Sequence, residues 1–201
     1  MTVSGMERDG GLRDPIAPGR LSQLWTETDD GAYRRSAVLV PFLPGEGAWS
    51  LLFLKRASNL SRHGGEVCFP GGMQESGDRT ILETALRETE EETAIPPHRI
   101  RPLAVLPPEC TVVSAVNVHP VVGVLSGVHS VDDLTLNSEE VQDACMVPYS
   151  LFFAPPVLHS VLVHGEQVTY PEYFLPNGWR LWGVTARILR RIVTLSVGEG
   201  V

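Results

Sequence analysis

Four glutamates fall within five consecutive positions of the stretch LRETEEETAI, residues 86–95. In a helix, like charges three or four residues apart repel, and acidic groups near the C-terminus oppose the helix dipole. At about 100° per residue, Glu88, Glu91 and Glu92 share a sector of roughly 100°, while Glu90 points elsewhere. Hard divalent cations bind several carboxylate oxygens together with backbone carbonyls and water. The spacing therefore predicts a three-carboxylate face that binds a divalent cation.

The helix that carries these glutamates has clear start and stop signals. Thr80 and Glu83 have the spacing of a capping box, and the Pro-Pro pair at 96–97 cannot continue a helix. These signals predict a helix from about Thr80 to about Ala94. A solvated charged face is the alternative interpretation. It is disfavoured because the acids are not interleaved with Lys or Arg.

The remaining elements are predicted to be mostly strands, because apolar runs alternate with Gly- and Pro-rich turns. One helix lies in the middle and one at the end, which predicts an α/β fold with a mixed sheet packed between helices. The predicted strands cover 36–43, 49–56, 65–72 (ending in a Gly-Gly turn), 100–108, 116–125 and 159–174. Residues 138–153 combine a polar turn or short helix with an apolar run, and the terminal helix covers 181–196.

The whole chain has 201 residues and predicts one domain at 33–196, an N-terminal extension at 1–32 with a short helix near 19–25, and a tail at 197–201. A net charge of -8 argues against broad nucleic-acid binding. No run approaches the roughly 18 apolar residues of a membrane helix, and the N-terminus has no apolar signal region. A cytoplasmic protein without a membrane partner is expected.

The acidic helix and the turn before it resemble a known motif. GGMQESGDRTILETALRETEEETAI (71–95) resembles the Nudix box, G-x5-E-x7-R-E-U-x-E-E-x-G-U, where U is aliphatic. The leading Gly, the R-E pair and the E-E pair are all matched, by Gly72, Arg87, Glu88, Glu91 and Glu92. Asp78 replaces the first Glu, with eight residues instead of seven before Arg87. Thr89 and Ala94 replace the aliphatic residue and the second Gly.

The segment before the box narrows the resemblance. LFLKRASNLSRHGGEVCFPGG (52–72) is similar to the signature of the coenzyme A pyrophosphatase branch, and Arg56 and Gly71 are in register with it. Ser61 replaces a second Arg of the signature, with Arg62 beside it. The resemblance implies substrate contacts from Arg56, Arg62 and Gly71.

The resemblance implies a Nudix α/β/α sandwich that hydrolyses a diphosphate with Mg2+ or Mn2+. For coenzyme A the products would be 3',5'-ADP and 4'-phosphopantetheine. The metal ligands would be Glu88, Glu91, Glu92 and the Gly72 carbonyl, since metal ions neutralise phosphoryl charge and activate water. Arg87 would orient a glutamate through a charge-assisted hydrogen bond.

Three questions remain open at the sequence level. The general base is either a glutamate of the box or an acid outside it, for which Glu139 and Glu140 are the candidates. The substrate is a small-molecule diphosphate, either of the coenzyme A type or another nucleoside diphosphate derivative such as ADP-ribose. A non-catalytic nucleotide-binding protein is the third hypothesis, and both monomer and homodimer are compatible with the chain.

Overall fold

The computed structural model describes residues 15–16, 33–59, 63–111, 115–163 and 165–197. The predicted helix near 19–25, the last four residues of the tail, and both Ser61 and Arg62 lie outside the described residues. No helix in the described part is long and apolar enough to cross a membrane.

The described chain forms strands with one helix in the middle and one at the end, as predicted. The strands are β1 Arg34–Pro44, β2 Trp49–Arg56, β3 Val67–Cys68, β4 Gly71–Met73, β5 Ile100–Val105, β6 Glu109–Thr111, β7 Val116–Leu125, β8 Val141–Pro148, β9 Val157–Val163, β10 Glu166–Phe174 and β11 Arg180–Leu181, and the helices are α1 Ile81–Thr93 and α2 Gly183–Val197.

The first eight strands form one mixed sheet. β1 pairs in parallel with β7, and β7 pairs antiparallel with β5 and β6. β2 pairs antiparallel with β1 on one edge and with β8 on the other. All ten residues of β7 are buried, as expected for a central strand covered on both faces.

The predicted strand 65–72 is in fact two short strands, which fill a gap between β1 and β2. β1 pairs with β2 at Phe42–Pro44, but with β4 at Ser36–Val38. β3 pairs with the far end of β2. The Gly71-Gly72 pair, predicted as a turn, therefore begins a strand and is held inside the sheet.

Each face of the large sheet is covered by one helix, which confirms the predicted sandwich. Side chains of β1 and β2 alternate between the two sides. Leu39 and Leu52 pack with Ile81 of α1, whereas Phe42 and Phe53 belong to the cluster around Ile188 of α2.

The predicted strand 159–174 is also wrong as a single strand, since it is part of a hairpin of β9 and β10. Gly165 has φ of +86°, which glycine adopts without the penalty that other residues incur. β11 adds to the other edge of β10 and completes a separate three-stranded sheet.

Candidate active site

Glu92 is the most buried acid of the predicted face. Its side chain is 1% exposed. The Gly71 N–H donates to Glu92 Oε2 at 2.9 Å, and Arg56 Nη1 lies 3.7 Å from Oε1. The pKa of Glu92 is raised to about 8, mainly by burial and to a smaller extent by the charges of Glu88 and Glu140, against the lowering effect of the Gly71 and Arg56 contacts. Glu92 thus joins the acidic helix to the segment upstream of the box.

Glu88 lies against the backbone of Gly72. A Cβ built on Gly72 would stand 2.4 Å from Glu88 Cδ, so no other residue fits there without displacing the carboxylate. Burial, and secondarily the nearby Glu91 and Glu140, raise the pKa of Glu88 against the opposing effect of Arg87. The site therefore places several carboxyl groups close together where they are partly shielded from solvent.

The neighbouring Gly71 also occupies a position that only glycine fits. Its φ is +153°, and a Cβ there would lie 2.2 Å from the Ala37 carbonyl oxygen of β1. The close approach of β4 to β1 allows the Gly71 N–H to reach Glu92. The Gly-Gly pair thus brings one backbone unit to the buried Glu92 and the next to the partly buried Glu88.

Arg87 connects the turn before α1 with two of the acids. It donates to Glu88 Oε1 at 2.9 Å, to Glu91 Oε2 at 2.9 Å and to the Met73 carbonyl oxygen at 3.0 Å. Asp78 accepts from Arg87 Nε at 3.1 Å and from Nη2 at 3.0 Å. The bonds from Arg87 lower the pKa of Asp78 to about 2, since each stabilises the carboxylate. Asp78 therefore anchors Arg87. From the sequence alone, Asp78 was known only as the residue that replaces the first Glu of the box.

The outer acids behave differently from the inner pair. Glu91 is half exposed and is held by Arg87, and Glu90 is exposed. Glu83 pairs with Arg79 at 2.6 Å, which leaves Glu91 as the i,i+4 partner of Arg87. Glu91 therefore shares Arg87 with Glu88, while the separation of Glu90 from the other three acids stays a prediction.

Glu140 reaches the site through a loop attached to the end of α1. The Thr135 N–H donates to the Thr93 carbonyl at 3.1 Å, and the Asn137 N–H donates to the Glu92 carbonyl at 3.1 Å. Asn137 Nδ2 donates to Glu140 Oε1 at 3.4 Å, and the Asn137 carbonyl accepts from the Glu140 N–H at 3.0 Å. The charge of Glu140 makes a small contribution to the raised pKa of both Glu88 and Glu92.

Sequence reasoning missed Asn137. Its side-chain oxygen accepts from the N–H of Glu139 at 3.2 Å, the bond of an Asx turn. The string LNSEEV carries that turn signal, but its attachment to α1 is not local. Glu139 itself is exposed, whereas the charge of Glu140 contributes to the raised pKa of both Glu88 and Glu92.

The oxygen atoms of Glu88, Glu91, Glu92 and the Gly72 carbonyl are chemically suited to bind a divalent cation. They are hard oxygen ligands, and burial and like charge disfavour ionisation of Glu88 and Glu92. A cation next to them would reverse that penalty. Within the described ranges, no three His, Cys, Asp or Glu side chains already have the geometry of a metal site. Arg87 and the Gly71 N–H orient these carboxylates in the structure instead.

The fold and this acidic site belong to a known class. The family model of the NUDIX domain matches residues 33–162, more than half of the chain. The chain therefore belongs to the Nudix hydrolases, which act on pyrophosphate bonds of nucleoside diphosphate derivatives and generally use divalent metal ions.

Two relatives support the assignment. An "uncharacterized Nudix hydrolase NudL" of Pectobacterium atrosepticum is 36% identical over 163 residues, covering 79% of this chain and 81% of that protein. "Nudix hydrolase 3" of Caenorhabditis elegans is 30% identical over 182 residues, covering 84% of this chain and 75% of that protein.

A solved structure shares the fold. The Nudix hydrolase RenU of M. smegmatis superposes with a TM-score of 0.57 at 16% identity, over 89% of this chain and 96% of that one. At this identity the likeness supports the fold alone.

Proposed function

We propose that the protein hydrolyses the diphosphate of coenzyme A or its thioesters, releasing 3',5'-ADP and 4'-phosphopantetheine or its acyl form. The observation that carries this proposal is the contact between the upstream signature and the box. Arg56 of the signature lies 3.7 Å from Glu92 of the box, and Gly71 donates directly to the same carboxylate. Both parts of the resemblance to the coenzyme A branch thus belong to one site.

Arg56 is the candidate phosphate ligand of this site. Its side chain is 26% exposed, while its partner Glu92 is 1% exposed. A partly exposed guanidinium with a carboxyl group behind it can bind a phosphate in a bidentate manner. Arg62 and Gly71 remain proposed substrate contacts.

Metal coordination by Glu88, Glu91, Glu92 and the Gly72 carbonyl would neutralise phosphoryl charge and make a water molecule nucleophilic. Arg87 keeps Glu88 and Glu91 oriented through its hydrogen bonds. Glu140 accepts the proton of the attacking water, since its charge acts on Glu88 and Glu92 from a different element. Water adds across the P–O–P bridge, and the bridging oxygen leaves with one phosphate.

The experiment is a substrate panel analysed by mass spectrometry. The protein is incubated with Mg2+ or Mn2+ and with coenzyme A, acetyl-coenzyme A, ADP-ribose or a dinucleoside polyphosphate. The proposal predicts 3',5'-ADP from at least one coenzyme A species, with a larger kcat/KM than for ADP-ribose. Faster release of AMP from ADP-ribose, or no 3',5'-ADP at all, would refute it.

A further inference from the structure

The hairpin of β9 and β10 carries an exposed apolar surface away from the acidic site. Apolar side chains are exposed on both of its faces, and Leu162 is 77% exposed. We call this surface the hairpin surface; it consists of Val157, Leu158, Val161, Leu162 and Val168.

The outer edge of this hairpin is open to pairing. Among the described residues, β9 forms ladder hydrogen bonds with β10 and with no other strand. Natural edge strands are usually protected by lysine, proline or a bulge. β9 reads VLHSVLV and contains neither charged Asp, Glu, Lys or Arg nor proline, and its register with β10 is continuous.

The sequence of β9 is nearly symmetric about Ser160. Leucines flank it two positions away on each side, at Leu158 and Leu162, with His159 and Val161 between. If two such strands pair antiparallel about a twofold axis at Ser160, Leu158 of one copy faces Leu162 of the other. A twofold interface requires this self-complementarity, because the same surface serves both partners.

Charge favours the same partner. Two copies with a net charge of -8 each repel one another over most of their surface. The five residues of the hairpin surface include no acid, and the buried Glu172 of β10 is paired with Arg180 and contacts His159 at 2.7 Å. The surface is therefore where two copies meet with little electrostatic cost.

We propose that the protein forms a homodimer in which β9 of one copy pairs antiparallel with β9 of the other, with the twofold axis at Ser160. The two three-stranded sheets then form one continuous six-stranded sheet across the axis. This arrangement satisfies the open edge of β9 and brings Leu158 of each copy against Leu162 of the other.

The test uses pairs of charged substitutions on the full-length chain, followed by sedimentation equilibrium. The wild-type chain is expected to be dimeric at concentrations up to about 100 μM, where a micromolar dimer is populated. Leu158→Lys/Leu162→Lys places like charges opposite each other twice and should raise the dissociation constant at least tenfold. Leu158→Lys/Leu162→Glu places opposite charges there and should retain a dimer.

The control is Val131→Lys, an exposed apolar residue outside the hairpin, which should leave the dissociation constant unchanged. Circular dichroism confirms that each variant is folded. A wild-type chain that is monomeric throughout this range would overturn the proposal. So would equal dissociation constants for the two double variants, because the proposed register requires them to differ.

Discussion

At the residue scale, the closest fit in the site is between Gly72 and Glu88. Because a Cβ at position 72 would overlap the Glu88 carboxylate, Gly72→Ala must displace it. A displacement of about 1 Å in a catalytic group costs roughly 100-fold in rate. We predict a fall of roughly that size in kcat/KM for Gly72→Ala.

The matched control is Gly77→Ala, where a Cβ meets no atom within 4 Å. Steady-state kinetics should give this variant nearly wild-type activity, and urea denaturation should show both variants folded. Equal kinetics for the two alanine variants would show that the position of the Glu88 carboxylate is unimportant.

The raised pKa of Glu92 predicts how the stability of the protein depends on pH. Its folded pKa, about 8, is above its unfolded value, so the folded state holds a proton that the unfolded state releases. The metal-free protein must therefore lose stability as pH rises from about 4.5 to about 8, by an amount on the order of a few kcal/mol. Thermal unfolding in chelator between pH 5 and pH 9 measures this loss.

Glu92→Gln removes the titrating group and keeps an oxygen for the Gly71 N–H. This variant should show a smaller loss of stability over the same pH range, and Mg2+ or Mn2+ should reduce the loss in the wild-type chain. If wild type and variant have parallel profiles, the raised pKa of Glu92 is wrong.

At the element scale, α1 ends in an unusual residue. Ala94 has φ of +58°, the left-handed conformation in which helices commonly end with glycine, and its N–H donates to the Glu90 carbonyl. The departure from Gly in the box therefore has a structural cost. Ala94→Gly should stabilise the protein by about 0.5–1 kcal/mol in urea denaturation, since glycine relieves this strain. A destabilisation would contradict the geometry of this helix end.

A second prediction at this scale concerns the loop from Thr135 to Glu140, in which Asn137 contacts Glu140. If Asn137 positions Glu140, Asn137→Ala should lower kcat roughly tenfold with little change in KM. This is less than the roughly 100-fold or more that a general base contributes, because the substitution misplaces the base without removing it. In a Glu140→Gln background the same substitution should have little further effect, because groups that act as a unit are not additive.

Glu139→Gln is the control for this cycle, because Glu139 is exposed and bonds Asn137 through its backbone. A loss from Asn137→Ala that is equally large in both backgrounds would give Asn137 a merely structural role. If Glu140→Gln alone retains full kcat, the assignment of the base is wrong, whatever Asn137 does.

At the scale of the whole molecule, the predictable features are those encoded over short distances. Thr80 and Ala94 bound α1 as the start and stop signals indicated, and along this helix Glu92 is buried whereas Glu90 is exposed. The sandwich of a mixed sheet between two helices could be predicted from the apolar runs of the strands and from the two amphipathic helices. These features depend on local dihedrals and side-chain period, which a single sequence contains.

The features that could not be predicted depend on contacts between distant segments. The gap between β1 and β2 that admits β3 and β4 is a tertiary arrangement, and it turned an expected Gly-Gly turn into a strand. The attachment of Asn137 to the Glu92 carbonyl spans 45 positions of the chain. No local pattern specifies either of these contacts. The turn at Gly165 was not predicted because residues on both sides of it favour strands.

The most direct test of the site compares Glu92→Gln with Glu90→Gln on the panel substrate that the wild-type chain cleaves fastest. Both variants remove one carboxylate from the same helix, but Glu92 is buried against Gly71 and Arg56 while Glu90 is exposed. We predict a fall in kcat of about a thousandfold or more for Glu92→Gln, since it removes a metal ligand, and nearly unchanged kcat for Glu90→Gln. A Glu92→Gln variant with near-wild-type kcat would contradict the account.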